Sequence, residues 1–120
     1  MTRTRIYAAM RHACGALALA ALPLAAMSAD RTIEIEATEF AFEPATIEVE
    51  QGETVQLKLI NSGNLSHNLH MRGADTRTET IQTGSSDSIE FTATEDGTVH
   101  FFCNVPGHEQ AGMTGRLKVE

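Results

Sequence analysis

Thr32-Ile33-Glu34-Ile35-Glu36-Ala37 alternates polar and apolar side chains, the two-residue period of a strand with one wet face and one dry face. Downstream, Phe40 and Phe42 continue that spacing up to Pro44, and Ile47 and Val49 alternate again before a turn at Gln51-Gly52. Val55, Leu57 and Leu59 form the inward set of the next strand, with Gln56 and Lys58 facing out. Asn61-Ser62-Gly63-Asn64 has the composition of a loop. Leu65 to Met71 then reads as a strand, and the polar stretch Arg72 to Thr80 as a loop with room for a helical turn. Ile81, Ser88–Thr92, Val99–Phe102 and Arg116–Val119 supply the remaining strands, with a turn at Glu95-Asp96-Gly97. From Thr32 onward no window carries a sustained helical apolar stripe. Seven or eight short strands at intervals near ten residues predict an all-β domain, a sandwich or small barrel.

Upstream of these strands the sequence changes character. Arg3, Arg5 and Arg11 precede an apolar, alanine-rich run from Ala13 to Ala26, and the small residues Ser28 and Ala29 follow. These are the three parts of a secretory signal peptide, assigned to residues 1–29. The rival reading, an uncleaved anchor, meets an apolar run shorter than the roughly 20 residues a membrane-spanning helix needs. Residues 30–120 are then the mature domain. That domain keeps six basic and sixteen acidic residues, a net charge of −10. A field of this sign argues against nucleic acid and anionic lipid and favours basic partners or plain solubility. Cys14 leaves with the leader, so Cys103 is the only remaining thiol. In an oxidising compartment a lone thiol calls for an occupant such as a second chain, the core or a metal.

The segment Cys103-Asn104-Val105-Pro106-Gly107-His108-Glu109-Gln110-Ala111-Gly112-Met113 places a thiolate, an imidazole and a thioether at equal five-residue steps. Gly107 and Gly112 each precede a candidate ligand and permit the tight turns that would bring the three together. Soft sulfur with imidazole selects copper over zinc, and two histidines, a cysteine and a distant methionine make an electron-transfer copper site. A structural zinc site closes with four strong ligands, and no second cysteine is available for one. The second histidine must come from elsewhere. His100 lies three residues before Cys103 and drops out on strand parity. Leu65, Leu69 and Met71 share parity with His67, which makes His67 the inward residue and leaves His70 facing solvent, with Met71 in the core.

The pattern Phe42-x-Pro44, Ile47-x-Val49, Gly52, Val55, Asn61, His67-Asn68, Gly97, Cys103-x4-His108-x4-Met113, Gly115 resembles the small type 1 blue copper proteins, the cupredoxins, over nearly the whole mature chain. The spacing after the cysteine is similar to that of the auracyanin and rusticyanin branches. The resemblance implies an eight-stranded Greek-key β-sandwich holding one copper ion near one end. His67, Cys103 and His108 would be its strong ligands and Met113 its weak axial ligand. It further implies that Asn68 braces the cysteine loop, and that Pro106, Ala111, Leu65 and Gly63 make an apolar patch around His108. Phe102, beside Cys103, resembles the aromatic residue that gives plastocyanin a second electron route. Asn104 stands where the family often has Ser or Thr, and His70-Met71 is an addition to the family pattern.

These readings predict an exported, periplasmic, monomeric carrier of single electrons, cycling copper between Cu(I) and Cu(II). Its partners would be redox proteins, basic ones such as a cytochrome among them. There would be no nucleic acid and no membrane insertion after processing. The rival is a copper-binding protein for tolerance or delivery, which His70 and Met71 would suit. Five histidines in all are too few for the second copper centre of a copper enzyme, so no enzymatic activity is expected. The acidic run Glu34, Glu36, Glu39, Glu43, Glu48, Glu50 reads as a solvated strand face that doubles as a docking field.

Overall fold

The structure, a computed structural model, describes residue 15 and residues 29–120. The segment expected to be a signal peptide, and the rival reading of it as an anchor, lie outside the described residues except at 15 and 29. Eight strands follow: β1 Arg31–Thr38, β2 Ala41–Glu43, β3 Thr46–Val49, β4 Thr54–Asn61, β5 His70–Met71, β6 Ser86–Thr92, β7 Gly97–Phe102 and β8 Thr114–Val119. They form two four-stranded sheets in the orders β2-β1-β4-β6 and β3-β8-β7-β5. β1 pairs parallel with β4 and β3 parallel with β8, while all other neighbours are antiparallel. The all-β sandwich expected from the alternation is therefore present.

The alternation also names the core. Ile35 and Ala37 of β1, Val55, Leu57 and Leu59 of β4, Phe101 of β7 and Leu117 and Val119 of β8 are buried between the sheets. Each occupies an every-second position, so one-residue slippage would turn its whole strand's apolar set into water. Full burial of side chains this size stabilises by about 1.5–3 kcal/mol apiece. That is how a domain of this length holds its two layers together.

Two expectations are corrected. The alternation does not run through Phe40. The chain reverses at Glu39-Phe40, with Phe40 at φ 63°, and restarts as β2 with Phe42 buried and Phe40 exposed. Leu65 to Met71 is not one strand. Only His70-Met71 forms β5, while His67 makes an isolated antiparallel bridge to Ile81, and Leu65, expected to face inward, is exposed. The stretch from Arg72 to Thr80 is a loop as expected, made of turns and a single bridge at Arg77 without a helical turn.

Candidate metal centre

The Cys103–Met113 loop follows β7 and leads into β8, and its backbone ties itself into a compact knot. Met113 O accepts the N–H of Cys103 at 3.1 Å, and Met113 N donates to His108 O at 3.1 Å. His108 N donates to Val105 O at 3.0 Å, and Gly112 N to Glu109 O at 2.9 Å. Gly107 and Gly112 take φ of 85° and 106°, a region that side chains rarely adopt, as the reading of that loop required. Strand parity carries inward from Phe101 to Cys103, which is fully buried, and leaves His100 on the outer face.

His67 arrives from the other sheet's connections. Its N–H donates to Ile81 O at 3.1 Å and its carbonyl accepts from Ile81 N at 2.9 Å. The loop before it is gathered by buried Asn61, whose Nδ2 donates to Leu65 O at 2.8 Å and Ile81 O at 3.0 Å. Asn61 Oδ1 accepts the Gly63 N–H at 3.0 Å. Asn68 then joins the two halves of the site. Its Oδ1 accepts the N–H of Asn104 at 2.6 Å, and its Nδ2 donates to Thr80 Oγ1 at 2.9 Å. The brace implied by the family resemblance is thus in place, made to the backbone of Asn104, so it works whatever side chain stands there.

The donor atoms of His67, Cys103 and His108 all lie within 4.8 Å of one another, and all three residues are buried. Cys103 Sγ is 3.6 Å from His108 Nδ1. Metal–sulfur and metal–nitrogen bonds of about 2.3 and 2.0 Å meeting at about 110° would put such donors about 3.5 Å apart. Both ring nitrogens of His67 are buried without a hydrogen-bond partner, a costly condition unless something else engages them. Burial, then the neighbouring His108, pushes the His67 pKa down, which keeps the imidazole neutral as a metal donor must be. Met113 is fully buried in the same loop. Among the described residues no second group of three such donors converges.

The comparisons agree with this geometry. The sequence profile of the cupredoxin-like domain matches residues 11–116. The chain belongs to the cupredoxin-like family. Copper is the cofactor of this cupredoxin, and the cluster of thiolate, imidazoles and thioether fits it. It is 31% identical over 114 residues to the copper-resistant cuproprotein CopI of Rubrivivax gelatinosus, covering 78% of this chain and 69% of that one. The CopI of Pseudomonas aeruginosa is 27% identical, with 82% and 81% covered. Among solved structures it is similar to the reduced auracyanin of Roseiflexus castenholzii, at TM-score 0.69 and 25% identity over 78% of this chain and 99% of that one. Auracyanin B, at TM-score 0.71 and 23% identity over 78% and 91% of the two chains, shares the fold.

Around the four expected residues the structure adds two that sequence reasoning missed. Phe40 sets its ring edge-on to His108, centroids 5.3 Å apart at 88°. Glu39, assigned to a solvated face, instead turns its carboxylate onto the His67 loop. Hydrogen bonds from the backbone of Asn64 and Leu65 hold its pKa below the usual carboxylate value. Neither residue could be found locally, because Thr38-Glu39-Phe40-Ala41 contains no Gly, Asn or Pro to announce a turn.

The patch expected around His108 is rearranged. Pro106, Ala111 and Leu65 are exposed, but Gly63 is buried against Glu39 and His67, and Phe40 lies against His108. His108 itself is only 7% exposed. Phe102 is half-buried, with the Arg72 guanidinium 4.3 Å above its ring and His70 beside it at 5.6 Å. Arg72 also pairs with Glu109 of the ligand loop. His70 and Met71 point to opposite faces, and Met71 is in the core.

Proposed function

We propose that this cupredoxin is an exported, mononuclear copper protein that carries single electrons between redox partners. The observation supporting it most directly is the sealed donor set, with His67, Cys103 and Met113 fully buried and His108 nearly so. In this reading His67, Cys103 and His108 would hold the ion strongly and Met113 would be its weaker donor. Bound copper supplies a one-electron couple between the monovalent and divalent states. The protein's part is to keep the donors where they are in both. The knotted loop fixes Cys103, His108 and Met113 relative to one another, and Asn68 ties that loop to the His67 arm. Burial keeps water from adding a ligand, so little has to move when the charge changes.

The exit for the electron is the His108 edge with Phe40 against it, framed by exposed Leu65, Pro106 and Ala111. An exposed apolar rim suits brief docking, and the −10 charge of residues 30–120 would steer a basic protein such as a cytochrome toward it. We assign the chain to the periplasm, as a monomer, with transfer rather than catalysis as its role. Stopped-flow electron exchange with a basic cytochrome tests the reading. The rate should fall as salt rises, because the guiding field is screened. A slow, salt-insensitive exchange would count against it.

A second reading, copper tolerance, is favoured by the copper-resistant relatives at 31% and 27% identity. Tolerance by holding the ion is compatible with a sealed site. Delivery through an exposed His70–Met71 pair has less support, since the two side chains do not share a face.

A further inference from the structure

The two-residue turn between β1 and β2 reaches both imidazoles of the proposed site. A non-glycine residue at positive φ costs about 1–2 kcal/mol relative to the ordinary regions, so Phe40 is held there by its surroundings. That reversal sets the Phe40 ring on His108 and swings the Glu39 carboxylate toward His67. Glu39 Oε1 accepts the N–H of Asn64 at 2.5 Å and of Leu65 at 3.0 Å, and lies 3.6 Å from His67 Nε2. The last distance exceeds a hydrogen bond but is within reach of a charged partner. Space is kept for this approach by Gly63. Any side chain there would collide with the Glu39 carboxylate and come within 3.0 Å of His67 Nε2. The carboxylate is thus anchored by two backbone donors and aimed at one nitrogen of a fully buried imidazole that has no other polar contact.

We propose that Glu39 is a positioning residue for the copper site: facing Nε2–H of His67, it leaves Nδ1 as the metal donor, and its charge favours the divalent ion. A carboxylate behind a metal-bound histidine fixes the tautomer and strengthens the donor, and its loss commonly weakens metal binding about 10–100-fold. A negative charge this close to a ligand stabilises the more positive ion, so removing it raises the reduction potential. The inference rests on His67 being a copper ligand, as proposed above.

Two variants and three measurements test it. Glu39→Gln keeps an oxygen that can accept from the loop and the imidazole but removes the charge, whereas Glu39→Ala removes both. In metal-free wild type, nitrogen-15 spectra should show His67 as the Nε2–H tautomer. Glu39→Ala should mix the tautomers and weaken copper binding about 10–100-fold in a chelator competition. Glu39→Gln should keep the tautomer and most of the affinity, yet titrate at a higher potential than wild type. An unchanged tautomer and affinity in Glu39→Ala would overturn the proposal. If that variant does not fold, an unshifted potential in folded Glu39→Gln does so. Wild type that binds no copper would refute the proposed function instead, and the metal-free tautomer of wild type and Glu39→Gln still decides on Glu39.

Discussion

The two halves of the site are built in opposite ways. The Cys103–Met113 loop carries three donors in eleven consecutive residues and closes through its own backbone hydrogen bonds. The His67 arm carries one donor and is held from outside, by Glu39 and Ile81 far away in sequence and by Asn61 at the end of β4, which itself bonds to Ile81. A loop that fixes its own geometry writes that geometry into local spacing. An arm fixed by tertiary contacts does not, and it should be the half that fails first when the scaffold is disturbed.

The largest break is at the loop. Cys103→Ser should abolish the intense thiolate absorption of the copper-loaded protein while circular dichroism still shows a folded β domain, because the apolar core does not involve the metal. In the arm, His67→Ala should lose the same band, whereas His70→Ala should keep it. The reverse outcome would mean that the donor assignment of the arm is wrong.

The scaffold itself is probed at Asn61. Asn61→Ala leaves the carbonyl of Leu65 and the N–H of Gly63 without their partner and takes one of two donors from the carbonyl of Ile81, a cost of about 1–3 kcal/mol for a buried group. Urea denaturation should show that loss in the metal-free protein, and copper affinity should fall with it. A comparable substitution on the loop's surface, Gln110→Ala, should change neither. Equal effects at the two positions would remove the contrast between arm and loop.

A smaller effect is expected at the axial position. Met113→Leu should retain copper and raise the reduction potential, since a weak axial donor stabilises the divalent ion more than the monovalent one. Loss of copper from this variant would make Met113 a primary ligand.

How much of this was legible follows the same division. Period-two alternation located most of the strands from Ile33 to Val119, because one face of each is turned toward the core. Equal five-residue steps located the loop. His67 was reached by parity along a supposed strand from Leu65 to Met71. Parity named a residue that the structure buries beside Cys103 and His108, although only the C-terminal end of that segment is a strand and Leu65 faces water. The bridge to Ile81 orients His67, and no pattern around His67 could announce a partner fourteen residues away. Glu39 and Phe40 stayed hidden for a related reason. Alternation reports which face a side chain takes while the strand continues, and it is silent about where an extended chain reverses without a turn residue.

The central claim is that the site holds one copper through both oxidation states. Repeated reductive and oxidative titration of the copper-loaded protein, with a moderate monovalent-copper chelator present, tests it most directly. One copper per chain is expected, with a thiolate band that bleaches and returns at full intensity in every cycle and none of the metal passing to the chelator. Transfer of copper to the chelator on the first reduction would contradict it and favour a protein that releases its metal.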